Sequence, residues 1–432
     1  MNTTRLFLGA AAVTAAASLL GPPAALAVDF KGKTVKVIIG YAPGGGYDLY
    51  ARTMARHIGK HLPGNPRVIS QNMTGAGSIK AANYLYSQAP KDGTQFGTFA
   101  RNLPMLAFSG STKGTRYDPN KFTWIGTASS YADDAYLMAV RKDSGITSVA
   151  DARKQGGKAL KFASTAFGST GHDVPLVLRE TLGINVQVVH GYPGGATLYL
   201  AVDRAEMDGR MVGYSSIKSS HREWLDKQKS PVSFLLQFAR TTPHPDFPNV
   251  PTARALAKSK EDLALIKMME TAYFIARPFA GPPGIPAETT KVVRDAFMKA
   301  HADPEYLKEA NKLKIDVSPL RGDRVAEIVK EIGEIPKPLY DRYSSILANP
   351  KSAPRKVNWQ TVAGTITKVA KKGRLEFKMA GDSKTYKTRV SNSYTSITLK
   401  GKKAKSKAVK AGMTCQIKWE GNGSYAGALD CK

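Results

Sequence analysis

Along residues 30–346, short apolar runs alternate with polar, glycine-containing loops and with stretches whose apolar residues recur three and four positions apart. The run at 35–39 leads into the loop YAPGGGYD at 41–48, and the run at 68–69 leads into the loop NMTGAGS at 72–78. A short apolar run bounded by turn residues predicts a strand, and a spacing of three and four predicts an amphipathic helix. The repeated order of strand, loop and helix predicts an α/β architecture with mainly parallel sheets.

Two further units of the same kind lie in the middle of the chain. A strand predicted at 160–164 leads into the polar glycine loop at 165–173, and a strand predicted at 184–190 leads into the loop at 191–195. The other predicted elements are strands at 93–100, 136–140, 207–213, 232–238 and 273–276, a helix at 288–301, and a helix at 324–346 that Pro336 and Pro338 should bend or split.

The glycine loops at 41–48 and 72–78 are candidates for an anion site. Glycine has no Cβ, so the backbone can approach a ligand closely. The helix that follows each loop offers unbonded N–H groups and the positive end of its dipole. Two such loops facing one cleft would suit an anion, and a carboxylate is the favoured ligand. The alternative for each loop alone is an ordinary strand-to-helix turn, where Gly and Asp are common.

Arg101 and His172 are two further polar candidates. Arg101 is predicted at the carboxyl end of the strand at 93–100, where ligands bind in open α/β sheets, and a guanidinium can hold a carboxylate through two hydrogen bonds. A solvated surface arginine is the alternative. His172 has no His or Cys near it in the sequence, so we expect a hydrogen bond to a ligand oxygen or a role at a helix start, and no metal. The chain has neither a nucleotide-binding glycine motif nor a nucleophile elbow, and nothing in it indicates catalysis or a cofactor.

Residues 1–27 have the pattern of an export signal. Arg5 supplies the positive start, residues 6–20 are apolar and rich in alanine, and Ala-Leu-Ala at 25–27 fits a cleavage site. We therefore expect a mature protein that begins at Val28 and resides in the periplasm. The two cysteines both lie near the C-terminus, so the main body has no thiolate nucleophile and no cysteine-based zinc site.

The last fifth of the chain differs from the rest in charge. Residues 351–432 contain 19 Lys and Arg against 4 Asp and Glu, a net charge of +15 out of +29 for the whole chain. The stretch at 349–358 is polar and contains prolines, as is typical of a linker. We therefore predict a separate module at 359–432. Its lysines could bind a polyanion; a basic structural appendage is the alternative, and it is favoured because many lysines cluster in one predicted loop and few aromatic residues lie between them.

Period-two alternation in this module predicts about five short strands and a small all-β barrel, similar to an OB fold. The residues GNGS at 421–424 indicate a hairpin turn. A turn centred on Gly423 places Cys415, eight residues before it, opposite Cys431, eight residues after it. In an oxidising compartment we expect these two cysteines to form a disulfide.

The main body resembles the periplasmic solute-binding proteins of tripartite tricarboxylate transporters, known as the Bug family. The resemblance implies a type II-like periplasmic binding fold, in which two α/β lobes are joined by hinge strands and the ligand lies in the cleft between them. It implies lobe I at 28–138 and 239–348, and lobe II at 139–238. The resemblance covers residues 30–346. It rests on the segments at 38–48 and 72–79, on APKDG at 89–93, on YDP at 117–119, on GSTGH at 168–172 and on YPGG at 192–195, and the segment 277–286 fits one branch of the family.

The resemblance also implies which residues contact a ligand. The two glycine loops of lobe I would hold one carboxylate, partly through water, and lobe II would close over the remainder. Asp48 is expected to cap the first helix instead, because its carboxylate would repel an anion. Whether Arg101 and Arg210 contact the ligand is left open. The candidate ligand-binding residues are Tyr41, Gly44, Gly45, Gly46, Gly75, Ala76, Gly77, Ser78, Arg101, Ser164, Ser169, Thr170, His172, Tyr192, Gly194 and Arg210.

The leading functional hypothesis is a monomeric periplasmic binding protein. It would capture a small organic carboxylate and deliver it to the membrane permease of a tripartite tricarboxylate-type transporter. One alternative is an enzyme that acts on small organic acids, which turnover of such acids would reveal. The other is a polyanion-binding surface protein that acts through the C-terminal module, for which affinity should fall steeply with salt.

Overall fold

The computed structural model of the protein describes residues 28–131, 134–154, 159–348, 352–354, 359–370, 373–390, 395–419, 421–424 and 426–432. The export signal predicted at 1–27 lies outside these residues, as does most of the predicted linker. Over the described ranges, no helix combines the length and the apolar character that crossing a membrane requires.

The elements follow the order expected of an α/β body with a β-rich C-terminal end. The α-helices in the described ranges are α1 (Gly46–Ile58), α2 (Ile79–Ser87), α3 (Leu103–Ser109), α4 (Val149–Ala152), α5 (Thr170–Leu182), α6 (Gly195–Asp203), α7 (Tyr214–Ser220), α8 (Lys260–Thr271), α9 (Ala287–Ala302), α10 (Pro304–Leu313), α11 (Gly322–Gly333) and α12 (Lys337–Leu347). The strands of the main body are β1 (Thr34–Ile39), β2 (Arg67–Asn72), β3 (Gln95–Thr98), β4 (Thr123–Thr127), β5 (Tyr136–Arg141), β6 (Leu160–Ser164), β7 (Val186–His190), β8 (Gly209–Gly213), β9 (Val232–Phe238), β10 (Pro278–Gly281), β11 (Leu320–Arg321) and β12 (Ser352–Pro354). The C-terminal strands are β13 (Gln360–Ala370), β14 (Arg374–Met379), β15 (Thr385–Arg389), β16 (Ser396–Leu399), β17 (Lys402–Lys403), β18 (Thr414–Trp419) and β19 (Ala428–Cys431).

The first sheet, which we call lobe I together with its helices, has the strand order β11-β4-β10-β3-β1-β2. Strand β1 pairs in parallel with β2 and β3, and β10 lies antiparallel between β3 and β4. Val35, Val37 and Ile39 of β1 are buried in one apolar cluster with Met54 and Ile58 of α1. Because parallel strands end at the same edge of a sheet, the loops that follow β1, β2 and β3 emerge side by side.

The second sheet, which we call lobe II with its helices, has the order β12-β7-β6-β8-β5-β9. Strand β6 pairs in parallel with β7 and β8, whereas β5 runs antiparallel to β8 and β9. Helix α12 joins the lobes at their back, where Tyr343 donates a hydrogen bond to Asp173 of α5 and Arg342 donates one to Asp262 of α8. Helix α8 also packs against α5. Helices α8 and α12 thus both contact lobe II, although they belong to the segment 239–348 that was predicted in lobe I.

Two expectations about the main body are wrong. The sheets are mixed rather than mainly parallel, because β10 in lobe I and β5 in lobe II run against their neighbours. Residues 273–276 do not form a strand. Helix α8 ends at Thr271, the N–H of Tyr273 still bonds back to the carbonyl oxygen of Glu270, and the strand begins only at Pro278. A four-residue apolar run is too short for its pattern to separate a strand from a buried turn.

The C-terminal residues form the predicted all-β module, with the strand order β15-β14-β13-β18-β19-β16-β17. The sheet curls towards closure, because Arg389 at the end of β15 donates its N–H to Ser424 and accepts one from Ala426 in the segment before β19. The module has an apolar core of its own, distinct from those of the two lobes. Its buried members include Ile366, Leu375, Phe377, Ile417 and Trp419.

The predicted hairpin and disulfide are confirmed. Strands β18 and β19 pair in the register that places Cys415 opposite Cys431, and a disulfide joins the two. Strand β12, in contrast, was not expected, because residues 352–354 lie inside the predicted linker. It pairs in parallel with residues 188–190 of β7, so the chain that leads to the module is part of the lobe II sheet.

Candidate functional site

A cleft of about 650 Å³, including its open mouth, lies between the two lobes. Its walls come from the loop after β1, the end of β3, the segment between β4 and β5, the N-terminal turns of α5 and α6, strand β8 with the start of α7, and the residue before β10. The residues that line it are Tyr41, Gly45, Gly46, Tyr47, Arg101, Tyr131, Tyr136, Thr165, Thr170, Gly171, Gly195, Leu198, Arg210, Met211, Val212, Gly213, Ser216 and Arg277.

The first glycine loop is held in shape by Asp48. Its Oδ2 accepts the N–H of Gly44 at 2.9 Å, and its Oδ1 accepts from Arg52 and Asn72, both at 2.8 Å. The amide of Asn72 also donates to the carbonyl oxygen of Tyr41 at 2.8 Å, which connects the first loop to the start of the second. Asp48 thus has a structural role and does not line the cleft. The capping position itself is occupied by Gly45, however, and Asp48 lies in the first turn of α1.

The second glycine loop follows an unusual backbone path. Gly75, Ala76, Gly77 and Ser78 all have positive φ, between 47° and 146°. Ser78 is buried, and its Oγ accepts the N–H of Ala100 at 2.7 Å. A Cβ on Gly77 would lie 2.9 Å from the Cβ of Ala166 in lobe II. The second loop therefore packs against lobe II beside the cleft and does not line it.

Three helix N-termini meet at the cleft. Gly45 and Gly46 belong to the start of α1, Thr170 and Gly171 to the start of α5, and Gly195 to the start of α6. A Cβ on Gly45 would lie only 3.1 Å from the backbone nitrogen of Gly195, so the two lobes touch here. The first-turn N–H groups of an α-helix have no acceptor within the helix, and the helix dipole favours negative charge. This arrangement suits an anion held between the lobes.

Arg101 is a deeply buried cation of the cleft, with 4% of its surface exposed. Its Nε donates to the carbonyl oxygen of Ala276 at 2.9 Å, and no described residue accepts a hydrogen bond from its two terminal nitrogens or forms an ion pair with it. A guanidinium with both terminal nitrogens unused can bind a carboxylate through two parallel hydrogen bonds. Four tyrosine rings surround it at 4.9–5.6 Å from the guanidinium carbon, namely Tyr47, Tyr131, Tyr136 and Tyr273.

Two more buried arginines line the cleft. Arg210 donates to the carbonyl oxygens of Met211 and Gly195 and lies 4.3 Å from the centre of the Tyr199 ring. Burial lowers the pKa of Arg210, but an arginine keeps its charge at neutral pH. Arg277 donates to the hydroxyls of Ser129 and Ser215. Neither arginine forms a salt bridge with a described residue, so the cleft carries several positive charges without carboxylate partners.

The buried acid Asp134 is connected to Arg277 of the cleft through the hydroxyl of Ser215. Its Oδ2 accepts the hydroxyl of Ser215 at 2.8 Å, and Ser215 in turn accepts from Arg277 at 3.0 Å. Burial and the nearby Asp316 raise the pKa of Asp134 to about 6, against the lowering effect of Arg277. Protonation of Asp134 near this pH would make the cleft more positive.

His172 belongs to a buried network behind the cleft. Its Nδ1 lies 2.8 Å from Asp173, whose other oxygen accepts from Asn102 and from Tyr343. This network connects α5 to α12 and to the start of α3. His172 does not line the cleft, because its ring is held in the interior by the carboxylate of Asp173.

Six of the sixteen predicted site residues line the cleft: Tyr41, Gly45, Gly46, Arg101, Thr170 and Arg210. Ten do not: Gly44, Gly75, Ala76, Gly77, Ser78, Ser164, Ser169, His172, Tyr192 and Gly194. Sequence reasoning did not select Arg277 or the tyrosines at 47, 131 and 136. The sequence did contain an indication for Arg277, since a charged residue directly before a buried strand lies at the end of a sheet, where ligands bind. The tyrosines carried none, because an aromatic residue in an apolar stretch indicates core packing equally well.

One group of potential metal ligands lies away from the cleft, at the contact between α1 and α10. The ligand atoms of His57, Asp303 and Glu305 lie within 4.8 Å of one another. Lys60 forms salt bridges with both Asp303 and Glu305, so their charge is already compensated by the protein. We assign no metal to this group.

Comparison with known proteins supports the fold. No protein-family model matches the chain. A "UPF0065 protein in gbd 5'region" from Cupriavidus necator is 27% identical over 331 residues, which span 75% of this chain and 91% of that protein. Among solved structures, MatC from Rhodopseudomonas palustris with bound malate has a TM-score of 0.56 at 20% identity, covering 73% of this chain and 98% of its own.

Two other solved structures are similar to the same extent. The periplasmic binding protein BugD has a TM-score of 0.56 at 18% identity, covering 72% of this chain and 97% of its own. A second R. palustris protein, with adipate, has a TM-score of 0.56 at 19% identity, covering 76% of this chain and 100% of its own. BugD is a periplasmic binding protein, and the likeness in fold confirms the two-lobed α/β architecture predicted from the sequence. These neighbours cover 72–76% of this chain, and the C-terminal module could account for much of the remainder.

Proposed function

We propose that the protein is a periplasmic solute-binding protein that captures a small organic carboxylate between its lobes and delivers it to the permease of a tripartite tricarboxylate-type transporter. The observation that carries the proposal is Arg101. A buried guanidinium with both terminal nitrogens unused is costly unless an anion arrives, because a buried charge needs a partner. The helix N-termini at Gly46, Thr170 and Gly195 add to the same preference for negative charge.

The site favours a ligand with more than one negative charge. Arg101 extends from lobe I, and Arg210 extends from strand β8 of lobe II, so a molecule in the cleft meets a cation from each side. An acid with two carboxylates could pair with both, which would couple binding to closure of the lobes. The malate and adipate bound by two structural neighbours are acids of this kind.

Export and a monomeric state complete the proposal. The pattern at 1–27 would direct the chain out of the cytoplasm, with cleavage before Val28. The structural neighbour BugD is a periplasmic binding protein, which supports this location. The N-terminal sequence of the exported protein should begin at Val28, and its mass in native solution should equal that of one chain.

The decisive experiment is calorimetric titration of the exported protein with malate and adipate. We expect binding of at least one acid, and no binding of adipamide, which has the same length as adipate without the charges. Native mass spectrometry of freshly purified protein would identify a retained acid. Chromatography of the acids after long incubation tests the enzymatic alternative, since a binding protein returns them unchanged. The proposal is refuted if neither malate nor adipate binds, or if adipamide binds as tightly as adipate does.

A further inference from the structure

The C-terminal module touches both lobes, at the C-terminal end of α6 and beside the first glycine loop. A Cβ on Gly423 would lie 2.5 Å from Nη2 of Arg204, at the end of α6 in lobe II. A Cβ on Gly44, in the first glycine loop of lobe I, would lie 3.9 Å from Nη1 of Arg389 and 3.8 Å from the Cβ of Ala196. Gly44 of lobe I, Ala196 of lobe II and Arg389 of the module therefore lie next to one another beside the cleft.

The module is attached more firmly to lobe II than to lobe I. Strand β12 joins the lobe II sheet through β7, with residues 352–354 opposite residues 188–190. The turn that touches Arg204 is tied to β15, since Gly423 donates its N–H to Lys387 and Ser424 accepts the N–H of Arg389. The contact described above with lobe I, in contrast, is made by the side chain of Arg389, which lies beside Gly44. If the lobes separate, the module should stay with lobe II and Arg389 should leave Gly44.

Arg389 has a free charge at this point. It is half-buried, and its guanidinium forms no salt bridge or hydrogen bond with a described residue. It lies beside the loop whose next two residues, Gly45 and Gly46, line the cleft. Its cross-strand neighbour is another arginine, Arg374, which is exposed.

We propose that the module extends lobe II over the mouth of the cleft and that Arg389 is a further determinant of affinity for anionic ligands, acting in the closed form. The inference rests on the proposed function for its ligand. The anion in the cleft attracts Arg389 across the first glycine loop, and this attraction holds the loop of lobe I against lobe II. Loss of the charge should therefore speed release of the ligand more than it slows entry.

The test compares three full-length variants in stopped-flow measurements with malate and adipate. Arg389→Gln should raise the dissociation rate about two- to fivefold, the range expected of a partly exposed charge interaction. Arg389→Lys should stay near the parent, because it keeps the charge. Arg374→Gln is the matched control: it removes the same charge from the paired position of the neighbouring strand and should leave the rate unchanged. Equal rates in Arg389→Gln and Arg374→Gln would overturn the inference.

Hydrogen exchange provides a readout that does not need a ligand. The amides at 44–46 should exchange faster in Arg389→Gln than in the parent or in Arg374→Gln, because the loop loses its contact with the module. Unchanged exchange at these amides would refute the contact. If the parent protein binds neither acid, the proposed function fails, and the exchange comparison still decides whether the module holds the loop.

Discussion

Replacement of Arg101 is the most informative single change in the cleft. In Arg101→Met the unbranched apolar side chain keeps much of the volume of the arginine stem and removes the guanidinium. The change removes two terminal nitrogens that no described residue uses and one hydrogen bond to the carbonyl oxygen of Ala276. The surrounding tyrosine rings should accept the thioether, because sulfur packs favourably against aromatic rings.

The expected loss of affinity follows from the geometry. A bidentate carboxylate contact consists of two charge-assisted hydrogen bonds, each with a net value of about 1.5–3 kcal/mol. Water replaces part of this interaction in the variant, so we take the lower end, about 3 kcal/mol in total. Since 1.4 kcal/mol corresponds to a factor of ten, the dissociation constant for malate or adipate should rise about 100-fold.

Calorimetry at fixed ionic strength measures this loss, with circular dichroism to confirm folding. Arg153→Met is the matched control, since the Nε of Arg153 also donates to a carbonyl oxygen, that of Leu182, at 2.7 Å, and Arg153 lies away from the cleft. It should change the dissociation constant less than twofold. Arg101→Lys should restore part of the affinity, because an ammonium keeps the charge without the planar fork. Parent-like affinity in folded Arg101→Met would refute the role of this arginine.

Three further predictions follow from the same structure. Gly45→Val should weaken acid binding at least about tenfold, because its Cβ would lie 3.1 Å from the backbone of the opposite lobe; Gly114→Val, where a Cβ meets nothing closer than 3.7 Å, should bind like the parent in the same titration. Reduction of the disulfide between Cys415 and Cys431, which closes a loop with a sequence separation of 16, should cost the module about 3 kcal/mol in chemical denaturation, and two alkylated thiols in unreduced exported protein would contradict the bond. Burial raises the pKa of Asp134 to about 6, so binding of the organic acid should strengthen as the pH falls from 7.5 to 5.5. The free energy of unfolding should decrease as the pH rises from about 4 to about 6, because the carboxyl releases its proton in the unfolded chain before it does so in the folded protein. In Asp134→Asn, binding should show only the pH dependence of the ligand itself.

The backbone features of the site were predictable because they depend on local sequence. Glycine at 44 and 75 allows positive φ, and the strand before each loop and the helix after it follow from apolar spacing. The interruption near Pro336 was also predictable, since proline cannot continue a helix, and α11 and α12 do separate there. The cysteine pairing followed from the position of one turn.

The side-chain content of the site was less predictable because it comes from distant segments. The rings around Arg101 belong to residues 47, 131, 136 and 273, and no local pattern joins them. His172 shows the opposite case. Its glycine-rich surroundings indicated a ligand contact, but Asp173, the next residue, holds its ring in the interior, and the third member of the network, Tyr343, is 170 residues away. The burial of a polar residue depends on partners that only the fold brings together.

The distribution of buried charge supports a ligand more directly than any single contact does. Buried carboxylates in this protein have donors: Glu270 accepts from Arg254 and from the backbone of Ala239, and Asp173 accepts from Asn102, Tyr343 and His172. The buried arginines of the cleft have only neutral partners among the described residues. Removal of charge from water is unfavourable without a counter-charge, so a fold that needed these side chains only for packing would gain by replacing them with apolar ones. A bound anion supplies the missing charge, and it should therefore stabilise the closed protein against unfolding by an amount that grows with the logarithm of its concentration.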